Sequence, residues 1–265
     1  METKINIKTT NSCALKNPLH GIVNSLPGVY GVEADMFSGV IKFNHTNEVS
    51  PTEIEEAVRS AGYEIIKDSF AEIANEWDTP QRVKMVKDFV NEIRSHIRFS
   101  GEDIILDLGC GTGLVGLELL DEVKFCNFVD TSDSMLDALE SKLSYAQLER
   151  SAILKGSLLD YTGSEIDKII AHNSVHHIED INALIERAKR TLKPGGVFIV
   201  ADILEEDGSF HYPEVVPHNG FNTTKLANLF ESIGFKILTN RIYGKQIKKD
   251  KEYQKFIIIA KNIEL

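Results

Sequence analysis

Asp107-Leu108-Gly109-Cys110-Gly111-Thr112-Gly113 follows the apolar run Ile104-Ile105-Leu106 and precedes Leu114 to Leu120. An apolar run of this length reads as a strand buried on both faces, as in a parallel sheet. Glycines at 109, 111 and 113 let the backbone turn sharply and approach a ligand without interference from a Cβ. The helix expected over Leu114–Leu120 points its N-terminus at the same place. Gly111-x-Gly113-x-x-Gly116 also satisfies the dinucleotide fingerprint. Two features argue against a pyrophosphate here. Asp107 ends the strand, and an anion there repels phosphate but suits a cationic amine or sulfonium. A helical stretch, itself preceded by Trp77-Asp78-Thr79-Pro80, also comes before the first strand, whereas a dinucleotide fold typically opens with that strand.

Working outward, strands and helices alternate. Phe125–Val129, Ala152–Lys155, Lys168–Ala171 and Val197–Ala201 are read as further strands, with helices over Ser134–Leu143, Ile181–Leu192 and Leu226–Ile233. Lys236–Leu238 and Lys255–Ala260 are read as a closing pair of strands. This order implies an α/β fold built on a mostly parallel, doubly wound sheet, with ligands at the carboxyl ends of the strands. The domain is expected over residues 101–265. Residues 67–100 are read as a helical lead-in and linker, with Val83, Val86, Phe89, Val90, Ile93 and Ile97 on one face.

Residues 1–66 form a separate pattern. Lys4–Lys8 alternates like a half-buried strand, and Ala14–Leu26 has helical spacing. Tyr30–Asp35 and Val40–Asn44 read as a hairpin turned at Met36-Phe37-Ser38-Gly39. Ser50-Pro51-Thr52-Glu53 starts a second helix with a capping box, and Tyr63–Ile66 is a last strand. The order βαββαβ is that of a small ferredoxin-like α+β domain.

Composition narrows the function classes. The 265 residues carry 29 Lys plus Arg against 40 Asp plus Glu, a net charge of -11 that disfavours nucleic acid. No apolar stretch approaches the roughly 18 residues that span a bilayer, so no membrane partner is expected. The N-terminus lacks an apolar signal core, and a cytoplasmic location is expected. Cys13, Cys110 and Cys126 are too scattered for a disulfide framework or a closed zinc site.

Leu26-Pro27-Gly28-Val29, Asp35 through Phe43, and Val49-Ser50-Pro51 through Ala61-Gly62-Tyr63 resemble the heavy-metal-associated domain of copper chaperones and metal-pumping ATPases. That family carries Cys-x-x-Cys before its first helix, two thiolates able to hold Cu(I). Here Thr10-Asn11-Ser12-Cys13-Ala14-Leu15-Lys16 offers one cysteine, so no metal is expected. The module is read as a docking surface, for a homodimer or a protein partner.

From about residue 70 to 261 the chain resembles the class I S-adenosylmethionine-dependent methyltransferases, of the small-molecule, methyltransferase-11 or UbiE-like kind. The carriers are the glycine loop, Phe128-Val129-Asp130-Thr131-Ser132 through Met135-Leu136, Lys155-Gly156-Ser157-Leu158, Ala171-His172-Asn173-Ser174-Val175-His176-His177, and Leu192-Lys193-Pro194-Gly195-Gly196. The resemblance implies a Rossmann-like, mostly parallel seven-stranded sheet with S-adenosylmethionine as cofactor. It implies that Asp107 and backbone carbonyls near Gly109 hold the methionine ammonium, with Cys110, Gly111 and Gly113 completing the loop. Asp130 would grip both ribose hydroxyls, with Thr131 beside it, and Met135 would pack on the adenine. Ser157 and Leu158 would lie along the adenine edge, Ser157 replacing the family's usual acid. Asn173 would line the methionine end, and Trp77 would close over the cofactor or anchor a helix.

The acceptor is expected to be a small molecule. His176 belongs to the resemblance, and His211 and His218 lie in the connection after the fifth strand, where a neutral imidazole can act as a base or simply meet water. His172 and His176, four apart, would share a face on a helix, but no third ligand is spaced with them. Methylation of a metalloid, of protein or of RNA, and a non-catalytic cofactor-binding module, remain as alternative readings.

Overall fold

A computed structural model of the chain describes residues 2–7, 16–35, 40–66, 68 and 70–263. They fall into two compact units, 1–69 and 70–265. Cys13 and the hairpin turn at 36–39 lie outside the described residues.

In the first unit, β1 (Glu2–Ile7), α1 (Lys16–Asn24), β2 (Val29–Asp35), β3 (Val40–His45), α2 (Pro51–Ser60) and β4 (Ile65–Ile66) follow in order. Their antiparallel sheet runs β2-β3-β1-β4, the ferredoxin-like arrangement. Leu19 and Val23 of α1 and Ile54 and Val58 of α2 pack with Ile5, Ile41 and Phe43 of the sheet. The capping box at α2 forms: Ser50 N–H donates to Glu53 Oε2 at 2.8 Å, and Glu53 N–H donates to Ser50 Oγ at 3.3 Å. Such caps contribute about 1 kcal/mol to their helix.

The second unit holds a seven-stranded sheet in the order β10-β11-β9-β8-β5-β6-β7. Its parallel strands are β5 (Ile104–Leu108), β6 (Phe125–Asp130), β7 (Ser151–Lys155), β8 (Ile166–His172) and β9 (Leu192–Ile203). β10 (Phe235–Lys248) and β11 (Lys251–Asn262) form an antiparallel hairpin that pairs β11 with β9. This closing pair is far longer than its two apolar segments suggest. β10 is an edge strand in which apolar residues such as Leu238, Ile242 and Ile247 stand at exposed positions, so apolar and polar residue types do not alternate with burial along it.

The helices are α3 (Pro80–His96), α4 (Leu114–Leu119), α5 (Asp133–Glu140), α6 (Tyr145–Leu148), α7 (Ile181–Thr191) and α8 (Thr223–Ser232). Strand parity sorts the core into two layers. Ile105, Phe128, Ile170 and Ile199 pack with α3, α4 and α5 on one face. Leu106, Leu108, Ile169 and Phe198 pack with α7 and α8 on the other. The stretch 67–100, expected as a lead-in and linker, is divided differently: the compact second unit begins at Phe70, and Val86, Phe89, Val90 and Ile93 of α3 are buried in its core.

β5 is flanked by β6 on one side and β8 on the other, so strand order reverses there and a crevice opens at the carboxyl ends. Asp107 sits beneath that crevice. It is 2% exposed, and its Oδ2 accepts from Gly116 N–H at 2.8 Å. Burial pushes its pKa from 3.8 up to about 7, against the pull of the Gly116 hydrogen bond and with a further push from the Asp130 charge. A carboxyl whose folded pKa is raised stabilises the fold fully below about 4 and loses that contribution as pH rises through about 7. Asp107→Asn keeps the acceptor for Gly116 N–H without the charge. Its stability relative to the parent chain is expected to increase between pH 4 and pH 8, read as urea midpoints; a difference independent of pH contradicts this assignment.

Candidate active site

The crevice is floored by a loop that only glycine allows. Gly109, Gly111 and Gly113 have φ of +64°, +54° and +79°. At Gly109 a Cβ would stand 2.4 Å from Ser174 Cβ, and at Gly113 one would stand 2.4 Å from Leu139 Cδ1. At Gly111 the nearest atoms to such a Cβ are Met135 Sδ and Trp77 Nε1, each at 3.9 Å, so the loop apex faces an open cradle between those two side chains. β6 holds the loop in place. Val129 O accepts from Gly109 N–H at 2.8 Å and Cys110 N–H at 3.1 Å. Asp130, the last residue of β6, accepts from Gly111 N–H at 2.7 Å through Oδ2 and from Ser132 N–H at 2.9 Å through Oδ1.

Trp77 is fixed beside the loop by contacts that the sequence reading missed. The Arg82 guanidinium lies 3.8 Å from the centroid of the indole, and its Nη1 donates to Trp77 O at 3.0 Å. Phe70 packs edge-on against the Trp77 ring, 5.5 Å between centroids. Asp78 accepts from the Thr112 hydroxyl inside the glycine loop and from Lys142 Nζ at 2.6 Å. The one local signal is the helix start: Thr79 caps α3 by accepting from Arg82 N–H, with Pro80 in the first turn. That start aims Trp77 and Asp78 back across the loop.

The remaining expected cofactor residues separate into surface and core. Thr131 is exposed and Met135 is buried with its sulfur toward the loop. Cys110 is half-buried, and burial and the neighbouring carboxylates push its thiol well above its usual range. Asp107, expected to meet the methionine ammonium, braces the loop to α4 through Oδ2 as described above. Ser157 N–H and Oγ both donate to Asp160 Oδ2, at 2.9 and 2.6 Å, so an acid does stand at this corner, three residues later than the pattern led us to look. Leu158, expected along the adenine edge, is 1% exposed and packs in the core on the α7 side. Asn173 takes a left-handed conformation, φ +53°, at the end of β8. Its N–H donates to Ala201 O at 2.8 Å, while its buried Oδ1 has no donor. An acceptor without a donor beside the glycine loop fits a ligand ammonium.

The histidines divide into three environments. His172 stacks on Phe89, 4.2 Å between centroids and 10° from parallel, and burial holds its pKa well below 6.5. His176 lies on a 3-10 turn and is directed elsewhere, so the two do not form a pair. His176 Nδ1 is 2.9 Å from Oδ1 of Asp202, a fully buried carboxylate that also accepts from Ile203 N–H at 2.8 Å. A carboxylate only accepts, so Nδ1 carries the proton and Nε2 is left as the ring's acceptor. The rings of His177 and His211 lie 4.2 and 4.3 Å from that of His176. His211 is buried, its Nδ1 has no partner, and desolvation with the neighbouring His176 holds its pKa near 4. It is neutral but a weak base. His218, the other expected base, is 3.0 Å from Ile178 O through Nε2, which makes that nitrogen a donor and the residue a brace for the loop. Among the described residues no three His, Cys, Asp or Glu side chains are arranged to hold a metal ion, and no helix is long and apolar enough to cross a membrane.

Residues 106–198 match the family described as Methyltransferase domain. An uncharacterized methyltransferase of Schizosaccharomyces pombe is 30% identical over 146 residues, 48% of this chain and 51% of the relative. The match thus spans about half the length of that relative. A demethylmenaquinone methyltransferase of Leptospira interrogans is 27% identical over 193 residues, 65% of this chain and 76% of its own. The crystal structure of a SAM-dependent methyltransferase from Aquifex aeolicus superposes with a TM-score of 0.57 at 16% identity, covering 73% of this chain and 98% of that one, a likeness of fold. The glycine cradle, the Asp130 carboxylate and the donorless Asn173 oxygen suit the three parts of an adenosyl-amino-acid ligand. Residues 106–198 are thus similar to a methyltransferase domain, the second unit shares the fold of S-adenosylmethionine-dependent methyltransferases, and S-adenosylmethionine is the cofactor to which that family and fold point.

Proposed function

We propose that the chain moves the methyl group of S-adenosylmethionine to a small-molecule acceptor that arrives carrying a proton. The observation that carries this reading is the Asp202–His176 pair, buried at the carboxyl ends of β8 and β9 beside the crevice. S-adenosylmethionine supplies a methyl group already activated by its sulfonium, so the protein's part is alignment, desolvation and proton removal. Asp130 accepts from the ribose hydroxyls. Asn173 Oδ1 and carbonyls near Gly109 take the methionine ammonium, and Met135 and Trp77 flank the adenosine. Asp202 fixes the His176 tautomer, so that Nε2 receives the acceptor's proton as the new bond to carbon forms. His211 roofs His176 and keeps water off it. The loop bearing Phe210 and His211 returns to the sheet at Phe221, whose N–H donates to Ile203 O at 3.1 Å, and a roofed edge of this kind suits a small acceptor. The Leptospira relative, named for demethylmenaquinone, supports the same class. Residues 1–66 are assigned a docking or dimerising role, and a strictly monomeric full chain in light scattering excludes the dimer.

Calorimetry with S-adenosylhomocysteine is expected to show binding that weakens about 10- to 100-fold in Asp130→Ala, the loss of charge-assisted hydrogen bonds worth about 1.5–3 kcal/mol. Unchanged affinity removes Asp130 from the site, and binding of NAD in its place removes the cofactor assignment of these residues. Asp202→Asn, which lets the imidazole take the wrong tautomer, is expected to lower kcat for methyl transfer by roughly 100-fold with little change in S-adenosylhomocysteine affinity. Equal losses in both would make Asp202 a purely structural residue.

A further inference from the structure

A groove of about 400 Å³ lies between α3 and the β10–β11 hairpin, lined by Met85, Tyr243 and Lys255 and also by Asp88, Glu92 and Lys245, whose charges are paired with other side chains. Lys255 is 2% exposed. It occupies the sheet face shared by Ile257 and Ile259, both buried against the α3 layer, where an aliphatic side chain would serve packing better than an ammonium. A buried cation in such a place ordinarily has a carboxylate against it, because desolvating an unpaired charge costs several kcal/mol. Among the described residues none bonds to Lys255.

The neighbouring acids are committed elsewhere. On α3, Asp88 pairs with Lys84 at 2.6 Å, and Glu92 pairs with His96 at 2.9 Å and Arg241 at 3.4 Å. On β9, Asp202 is taken by His176 and by Ile203 N–H. Lys245, at the groove's rim, pairs with Glu252. What Lys255 does have is a neutral acceptor: its Nζ is 3.2 Å from His172 Nε2, and Tyr243 OH is 3.4 Å from the same nitrogen. Burial lowers the Lys255 pKa from 10.5 to about 8, against the pull of the more distant Asp202 and Asp88 charges, which leaves it mostly cationic at neutral pH. The groove meets the cofactor crevice at Met85, whose sulfur is 3.9 Å from Asn173 Nδ2.

We propose that this groove is the acceptor pocket and that Lys255 receives the carboxylate of an organic acid lying along it. The proposal rests on the methyl-transfer reading above and narrows its acceptor to anionic small molecules. His172, held neutral and flat against Phe89, positions the ammonium, and Tyr243 offers the ring face and a hydroxyl to the rest of the molecule.

The test uses the full chain saturated with S-adenosylhomocysteine and titrated with benzoate, 4-hydroxybenzoate and hexanoate, each against its own neutral amide. The acids are expected to bind at least tenfold more tightly than the matching amides, and Lys255→Met, similar in volume and uncharged, is expected to abolish that preference. The acid–amide comparison needs no variant, so it decides the matter even if Lys255→Met does not fold. Acids and amides binding alike, no acid binding at all, or a preference that survives in Lys255→Met each overturns the proposal. Failure to bind S-adenosylhomocysteine in the first place instead strikes the cofactor reading on which the proposal stands.

Discussion

The second unit depends on the hold that the end of β6 keeps on the loop after β5. Three alternate residues at positive φ make a backbone that only glycine adopts cheaply, and a backbone so free needs an external brace. Val129 O and the Asp130 carboxylate supply it from one side. The Asp107–Gly116 bond supplies it from below, and Asp78 on Thr112 supplies it from above. The loop is thus fixed by bonds from within the fold. In the proposed reading, a loop fixed in this way serves a reaction that relies on alignment, since the cofactor brings its own activation.

The two halves of the site use charge in opposite ways. Around the glycine loop the polar groups are acceptors: the Asp130 carboxylate, the donorless Asn173 oxygen and the loop carbonyls. They suit a ligand that arrives as a cation with hydroxyls. Across Asn173, the other half holds a buried ammonium and a cluster of neutral or carboxylate-held imidazoles. Lys255 is buried in a chain of net charge -11 with a neutral imidazole, His172, as its hydrogen-bond acceptor. In the proposed reading, cofactor and acceptor are therefore sorted by sign as well as by shape.

Three of the expected site residues also have partners within the fold that a linear motif does not show. Asp107, Leu158 and His218 all lie in segments that a family pattern places near the ligand, yet each side chain is used within the fold. Asp107 faces α4, Leu158 fills the α7 layer, and His218 braces the loop against Ile178. A linear motif gives the segment and leaves the side chain's direction to be settled by packing. Other residues belong to no motif: Asp78, Asp202 and Lys255 acquire their meaning from partners far away in the chain, Thr112, His176 and His172, while Arg82 and Asp160 hold near neighbours, Trp77 and Ser157, through side-chain contacts that no spacing rule announces.

The sequence alone determined the features that obey local rules. Strand and helix alternation, the ferredoxin-like order of the first unit, the left-handed glycine turn and the acid ending β6 follow from period, capping and backbone sterics, which act over a few residues. The tertiary structure decided which histidine meets a carboxylate, which acid braces the loop and which lysine is stranded in a groove. Those outcomes depend on strand order and on the parity with which β8, β9 and β11 turn their side chains to one layer or the other. Neighbours across a sheet are set by topology, and no stretch of sequence contains it.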